Sequence, residues 1–141
     1  MKMVPGSVAL PALFATMLAG CASLMVENPP TPPNQDCKGE CRINVSVACR
    51  FVMLCKVSVP DEVYAHGQNV FWDLDQGAHP SFQFDPVSGI EFKTEEGRRN
   101  FRCQILAGGR SFKCDNGKAV GKYEYSVKVL GVPRLDPWIV N

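Results

Sequence analysis

The chain has 141 residues, with fifteen basic and fourteen acidic side chains and a formal charge of +1. That length holds one small domain. So balanced a charge supplies no net basic face for an electrostatic footprint, and nucleic acid is not an expected partner.

The first segment reads as an export signal. Lys2 supplies a minimal positive start, and Val8 to Leu18 is almost wholly apolar. Pro11 breaks this run. At about eleven residues it is too short to cross roughly 30 Å of hydrocarbon as a helix, so a membrane span is the weaker reading. Leu18-Ala19-Gly20-Cys21 closes it as a lipobox. Residues 1–20 are then the signal peptide, and Cys21 becomes the lipidated first residue. An ordinary secretory site fits less well, because Ala15-Thr16-Met17 and Gly20-Cys21-Ala22 match A-x-A poorly. Several acyl chains, at about 0.8 kcal/mol per buried methylene, hold a protein on a membrane permanently. The expected partner is therefore a membrane, reached through that anchor.

Residues 21–36 form the lipidated cysteine and a tether. Pro29-Pro30-Thr31-Pro32-Pro33 imposes an extended polyproline spacer, each residue adding roughly 3 Å. Beyond it the charge divides. Residues 22–90 hold four Lys/Arg against eight Asp/Glu, and residues 91–141 hold ten against six. Two complementary sheets or edges account for such a split.

Residues 37–141 read as an all-β domain. Ile43, Val45 and Val47 alternate with Asn44 and Ser46. Cys55, Val57 and Val59 alternate with Lys56 and Ser58 before Pro60-Asp61. Val70 to Leu74 follows the turn-like Gly67-Gln68-Asn69. Phe82 and Phe84 flank Gln83, and Ile90 and Phe92 flank Glu91. Glu95 to Arg99 allows one short helical turn at most. Tyr123, Tyr125, Val127 and Val129 alternate with Glu124, Ser126 and Lys128. Period-2 runs between Gly, Pro, Asn and Asp predict half-buried strands of an antiparallel β-sandwich with disulfides.

The segment from Phe101 to Asn116 predicts a hairpin about Gly108-Gly109. Counting outwards sets Ile105 opposite Phe112 and Cys103 opposite Cys114, close enough for a disulfide. A two-residue turn makes the cysteines a hydrogen-bonded pair. A four-residue loop, Ala107 to Arg110, keeps the pairing and reverses that parity. Cys37, Cys41, Cys49 and Cys55 are expected to pair among themselves, with three connectivities open. Six cysteines in a small exported domain favour disulfides over a metal. No C-x-x-C occurs, and His66 and His79 lie far from every cysteine, so zinc is not expected.

Catalytic and metal sets are incomplete. His66 and His79 sit in turn-like stretches, with no nucleophile placed for either. Ser88 and Ser111 lack the G-x-S-x-G elbow. Asp73, Asp75 and Asp85 miss the spacing of an EF-hand. Trp72 and Trp138 lie in apolar runs and read as core anchors. Arg98, Arg99 and Arg102 are the one basic cluster and read as a solvated loop.

Tyr123-Glu124-Tyr125-Ser126-Val127 and the closing Leu135-Asp136-Pro137-Trp138-Ile139-Val140-Asn141 resemble small exported bacterial lipoproteins that end in an L-D-P-x-I-x-N tail. The order Lys56-Val57-Ser58-Val59-Pro60-Asp61, then Val70-Phe71-Trp72, is similar to cupredoxin-like and immunoglobulin-like sandwiches. A copper cupredoxin takes two histidines, a cysteine and usually a methionine. No histidine follows His79, so the resemblance implies the fold without copper or any other cofactor. Ala22 after the cysteine, by resemblance to the lipoprotein sorting pattern, implies the outer membrane. The expectation is a non-catalytic binding or structural module of the cell envelope with an envelope protein as partner. The alternative is a thiol-redox or other envelope enzyme that uses the cysteines.

Overall fold

The computed structural model describes residues 30–50 and 54–141. The expected signal peptide, the expected lipidation site Cys21 and the first part of the expected tether lie outside the described residues. Ten strands and one short helix follow in order: β1 (Gln35–Asp36), β2 (Cys41–Arg50), β3 (Leu54–Ser58), β4 (Glu62–Tyr64), β5 (Val70–Leu74), β6 (Ile90–Phe92), α1 (Glu95–Asn100), β7 (Phe101–Ile105), β8 (Ser111–Asn116), β9 (Lys122–Val127) and β10 (Trp138–Val140).

They form two five-stranded sheets, ordered β1-β4-β10-β9-β6 and β3-β2-β5-β8-β7. The antiparallel expectation needs correction, because both sheets are mixed. β4 runs parallel to both β1 and β10, and β2 runs parallel to β5. Alternation fixes which side chains face inwards and is blind to strand direction. The intervening β3–β4 excursion brings β5 back alongside β2 in the same sense. A second correction concerns Phe82 to Phe84: only Phe84 makes a bridge, to Val129.

The alternation itself is expressed as burial. Cys41, Ile43 and Val45 are buried while Arg42 and Asn44 are exposed. Val70, Trp72 and Leu74 point inwards from β5, and Tyr123, Tyr125 and Val127 from β9. The sheets meet through aromatic pairs. Trp72 and Tyr125 have ring centroids 5.4 Å apart in an edge-on arrangement. The indole N–H of Trp72 donates to the Tyr125 hydroxyl at 3.3 Å, which satisfies two polar atoms inside the core. Phe101 stacks on Phe92 at 4.4 Å and meets Tyr123 edge-on at 5.5 Å.

Helix α1 begins at a Thr94 cap whose hydroxyl accepts from Gly97 N–H at 3.0 Å. Its closing residue, Asn100, is 7% exposed. The Asn100 side-chain oxygen accepts from Ala119 N–H at 3.0 Å, and its carbonyl from Gly117 N–H at 2.7 Å. The loop after β8 is thereby held to the helix end.

Three disulfides close the chain locally: Cys37–Cys41, Cys49–Cys55 and Cys103–Cys114. In the β7–β8 hairpin Leu106 N–H donates to Ser111 O at 2.9 Å, so the loop is the four residues Ala107 to Arg110. Gly109 N–H donates back to Leu106 O, and Gly108 at the third turn position has φ +88°. Only glycine adopts that angle freely. Counting from Leu106–Ser111, the pair Cys103–Cys114 falls at a non-hydrogen-bonded position.

Candidate functional site

The acidic side chains of Asp73, Asp75 and Asp85 are each committed separately. Asp73 accepts from Arg42 at 2.9 Å and from the Ser111 hydroxyl at 2.6 Å. Asp75 accepts from Gly77 N–H at 3.1 Å. Asp85 accepts from Val87 and Ser88 N–H at 3.0 and 2.9 Å and pairs with Lys128 at 2.9 Å. Among the described residues, no three His, Cys, Asp or Glu side chains converge as metal ligands.

Asp85 carries a testable pH dependence. The Ser88 N–H, Lys128 and the Val87 N–H all bond the charged carboxylate and hold it well below the usual carboxylate range. Its contribution to folding is therefore full above the unfolded value near 4 and is lost as pH falls through the folded one. Asp85→Asn should lower the melting temperature at pH 7, and the gap to wild type should narrow below about pH 4. A gap that stays constant down to pH 2 would contradict this assignment.

The histidines stay apart. His66, at φ +50°, meets Asp36 through Nε2 at 2.6 Å, and His79 meets Ser81 through Nδ1 at 2.7 Å. The first pair ties β1 to the turn after β4, and the second closes a single exposed loop; among the described residues no carboxylate is hydrogen-bonded to the His79 ring to orient it towards the Ser81 hydroxyl. The basic cluster also divides. Arg98 donates to the carbonyls of Phe92 and Lys93 at 3.0 Å, Arg99 pairs with Glu95 at 3.0 Å, and Arg102 is exposed. Arg110, unnoticed in the sequence, is the strongest organiser of its end of the domain. Its guanidinium donates to the carbonyls of Asp75, Phe82 and His79 at 3.0, 3.0 and 3.3 Å. It pins the loop after β5 to the hairpin tip.

The closing tail is explained position by position. Asp136 pairs with Lys93 at 3.0 Å and accepts from the Ser126 hydroxyl at 2.8 Å. Partial burial raises its pKa, but the Lys93 and Ser126 bonds outweigh this and the carboxylate stays lowered. Pro137 O accepts from Tyr125 N–H at 3.0 Å, and Ile139 is fully buried. The Asn141 side chain accepts from Gly67 N–H at 2.6 Å and Asn116 at 2.9 Å. It donates to Asn116 at 3.0 Å and to Ala119 O at 2.8 Å. Every hydrogen-bonding valence of that amide has a partner.

Leu135 exchanges both backbone hydrogen bonds with Val127, at 2.8 and 3.1 Å, and the last two tail positions, Trp138 and Val140, alternate with Ile139 onto the outer face. Trp72 is buried as expected of a core anchor, whereas Trp138 is 39% exposed, which corrects its reading as one. Its neighbours in register are Glu62 on β4 and Glu124 on β9. The Lys122 ammonium lies over its ring, 5.1 Å from the centroid, and pairs with Glu62. Tyr64 O–H donates to the same carboxylate at 2.6 Å. Hydrogen bonds from Lys122 and Tyr64 hold the Glu62 pKa below its usual value. The sequence held one usable signal: with Ile139 facing inwards, alternation turns Trp138 outwards.

Two of the open depressions among the described residues have defined linings. One, of ≈520 Å³, is lined by Glu96, Arg99, Asn100, Gly117 and Ala119. The other, of ≈440 Å³, lies between the end of the tether at Pro32 to Asp36 and Asn44, Ser46 and Pro60. Neither includes a histidine or a cysteine. A comparison with known protein families finds none that matches the chain, and a comparison with curated proteins finds no match.

Proposed function

We propose that the protein is a lipid-anchored binding or structural module of the bacterial cell envelope, without catalysis of its own. The observation that carries the reading is Leu18-Ala19-Gly20-Cys21 directly ahead of a proline-rich spacer and a disulfide-closed β domain. Ala22 supports placement at the outer membrane. The two sheets are read as a sandwich of immunoglobulin-like or cupredoxin-like topology. The aromatic contacts between them support this, as does the order of β3, β4 and β5. Such a scaffold offers rigid outer faces and loops to a partner.

Cys21→Ala should abolish fatty-acid labelling and leave an unprocessed precursor in the membrane. Equal incorporation of labelled palmitate into wild type and variant would refute the lipid anchor. The redox alternative needs a reactive thiol pair. Titration of the folded, unreduced protein should find Cys37, Cys41, Cys49, Cys55, Cys103 and Cys114 all protected.

A further inference from the structure

Trp138 is the one aromatic side chain among the exposed large hydrophobics of the described residues. It stands on β10, the middle strand of its sheet, on the face opposite the buried Ile139, where no second sheet covers it. No packing role accounts for it. Its own strand neighbour Ile139 fills the core, and its backbone N–H is already bonded to Asp61 O at 2.9 Å.

The flanks are acidic. Glu62 and Glu124 lie directly beside Trp138 in register, one on each side. The two glutamates are unequal. Glu62 is held by Lys122 and Tyr64. Among the described residues, no side-chain hydrogen bond or ion pair engages the Glu124 carboxylate; only its backbone carbonyl is used, by Lys93 N–H at 3.0 Å. Lys93 itself is directed to Asp136.

A cation of the chain itself already meets this ring. Lys122 places a cation over the indole and its charge on a flanking carboxylate. The indole quadrupole attracts a cation at its face, and the adjacent carboxylate completes the charge pair. The same pairing is available on the Glu124 side and is not used there.

We propose that the outer face of this sheet docks a basic polypeptide segment. In that contact an arginine of the partner stacks on Trp138 and bonds Glu124. Arginine fits better than lysine, because its planar guanidinium can lie on the ring while its fork meets a carboxylate in two parallel bonds. With Lys122 paired to Glu62 and Lys93 to Asp136, Glu124 is the uncompensated charge beside the ring and disfavours an anionic partner at that point. The assignment rests on the reading of the protein as a binding module and names the chemistry of its partner.

Titration of the full chain in detergent with a capped hexa-arginine peptide tests the contact, read by indole fluorescence. Trp72 is buried, so Trp138 is the reporter. The peptide should change the emission, bind better than hexa-lysine, and weaken with added salt. Glu124→Gln and Trp138→Ala, the latter followed by calorimetry, should each weaken binding roughly tenfold without lowering the melting temperature. Trp138→Phe should recover part of the loss. Lys122→Ala, which removes the internal competitor, should tighten it. Equal binding by wild type, Trp138→Ala and Glu124→Gln would overturn the proposal as unspecific charge attraction. So would a response to an N-acetylglucosamine hexasaccharide with none to hexa-arginine. Failure of these titrations leaves palmitate labelling of Cys21 unaffected, so the two readings fail separately.

Discussion

Gly89→Ala should be among the most damaging single substitutions in the domain, costing about 3 kcal/mol, at the upper end of overpacking effects. A Cβ at position 89 would lie 2.6 Å from the Asp85 carbonyl, 2.7 Å from Phe112 Cε2 and 2.9 Å from Phe84 Cβ. None of these can retreat easily. The Asp85 carbonyl accepts from Gly89 N–H at 2.8 Å, and Phe84 and Phe112 are edge-packed core rings, 1% and 2% exposed. The Gly89 carbonyl also accepts from Lys128 N–H at 2.8 Å, so the backbone is held on both sides. Gly108→Ala is the informative control. Nothing lies within 4 Å of its added Cβ, and the cost there comes only from φ +88°, about 1 kcal/mol. Thermal denaturation of both variants should therefore rank Gly89→Ala well below Gly108→Ala. The reverse order would mean that the close approach at Gly89 is relieved by a shift of the β6 entry loop.

Removal of the Cys103–Cys114 bridge should produce the second large loss. The bond spans eleven positions, and closing so short a loop restricts the unfolded chain by about 2–4 kcal/mol on the entropy account. For a domain of this size such a loss lowers the melting temperature by roughly 10 °C or more. Cys114 is fully buried and Cys103 partly so, which leaves a small cavity in the double alanine variant. Cys103→Ala/Cys114→Ala should keep its β-rich spectrum, because Gly108 and the Leu106–Ser111 bond still set the register. Peptide mapping without reduction should recover the 103–114 link in wild type. A link from Cys103 to Cys37, Cys41, Cys49 or Cys55 would show the hairpin register to be wrong.

These two sites differ in how far the sequence discloses them. The hairpin is local, so counting outwards from Gly108-Gly109 places its strands, and the observed register sets Ile105 against Phe112 and Cys103 against Cys114. Alternation likewise marks the inward faces of β2, β3, β5, β6 and β9. β1, β4 and β10 have only two or three residues and escape; β6 is as short, but Ile90-Glu91-Phe92 still shows apolar-polar-apolar alternation, which Gln35-Asp36 and Trp138-Ile139-Val140 lack. The β1–β4 and β4–β10 pairings are also parallel and distant in sequence, which no turn signal announces. The close approach at Gly89 belongs to this second kind, since Asp85, Phe84 and Phe112 meet it only after folding. Trp138 shows a different limit. An apolar neighbourhood in sequence does not say which side of a three-residue strand is wet.

The place of β10 between β4 and β9 governs the order in which the domain can assemble. The β3-β2-β5-β8-β7 sheet is complete in sequence at Asn116. The other sheet is then still in two pieces, β1 with β4 on one side and β6 awaiting β9 on the other. Only residues 138–140 join them. A chain that emerges N-terminus first therefore exposes β4 as an unpaired edge until its last residues arrive. Such edges recruit foreign strands. The closing segment acts as a keystone laid last, and the interval before it arrives is when this protein is most exposed to misassembly.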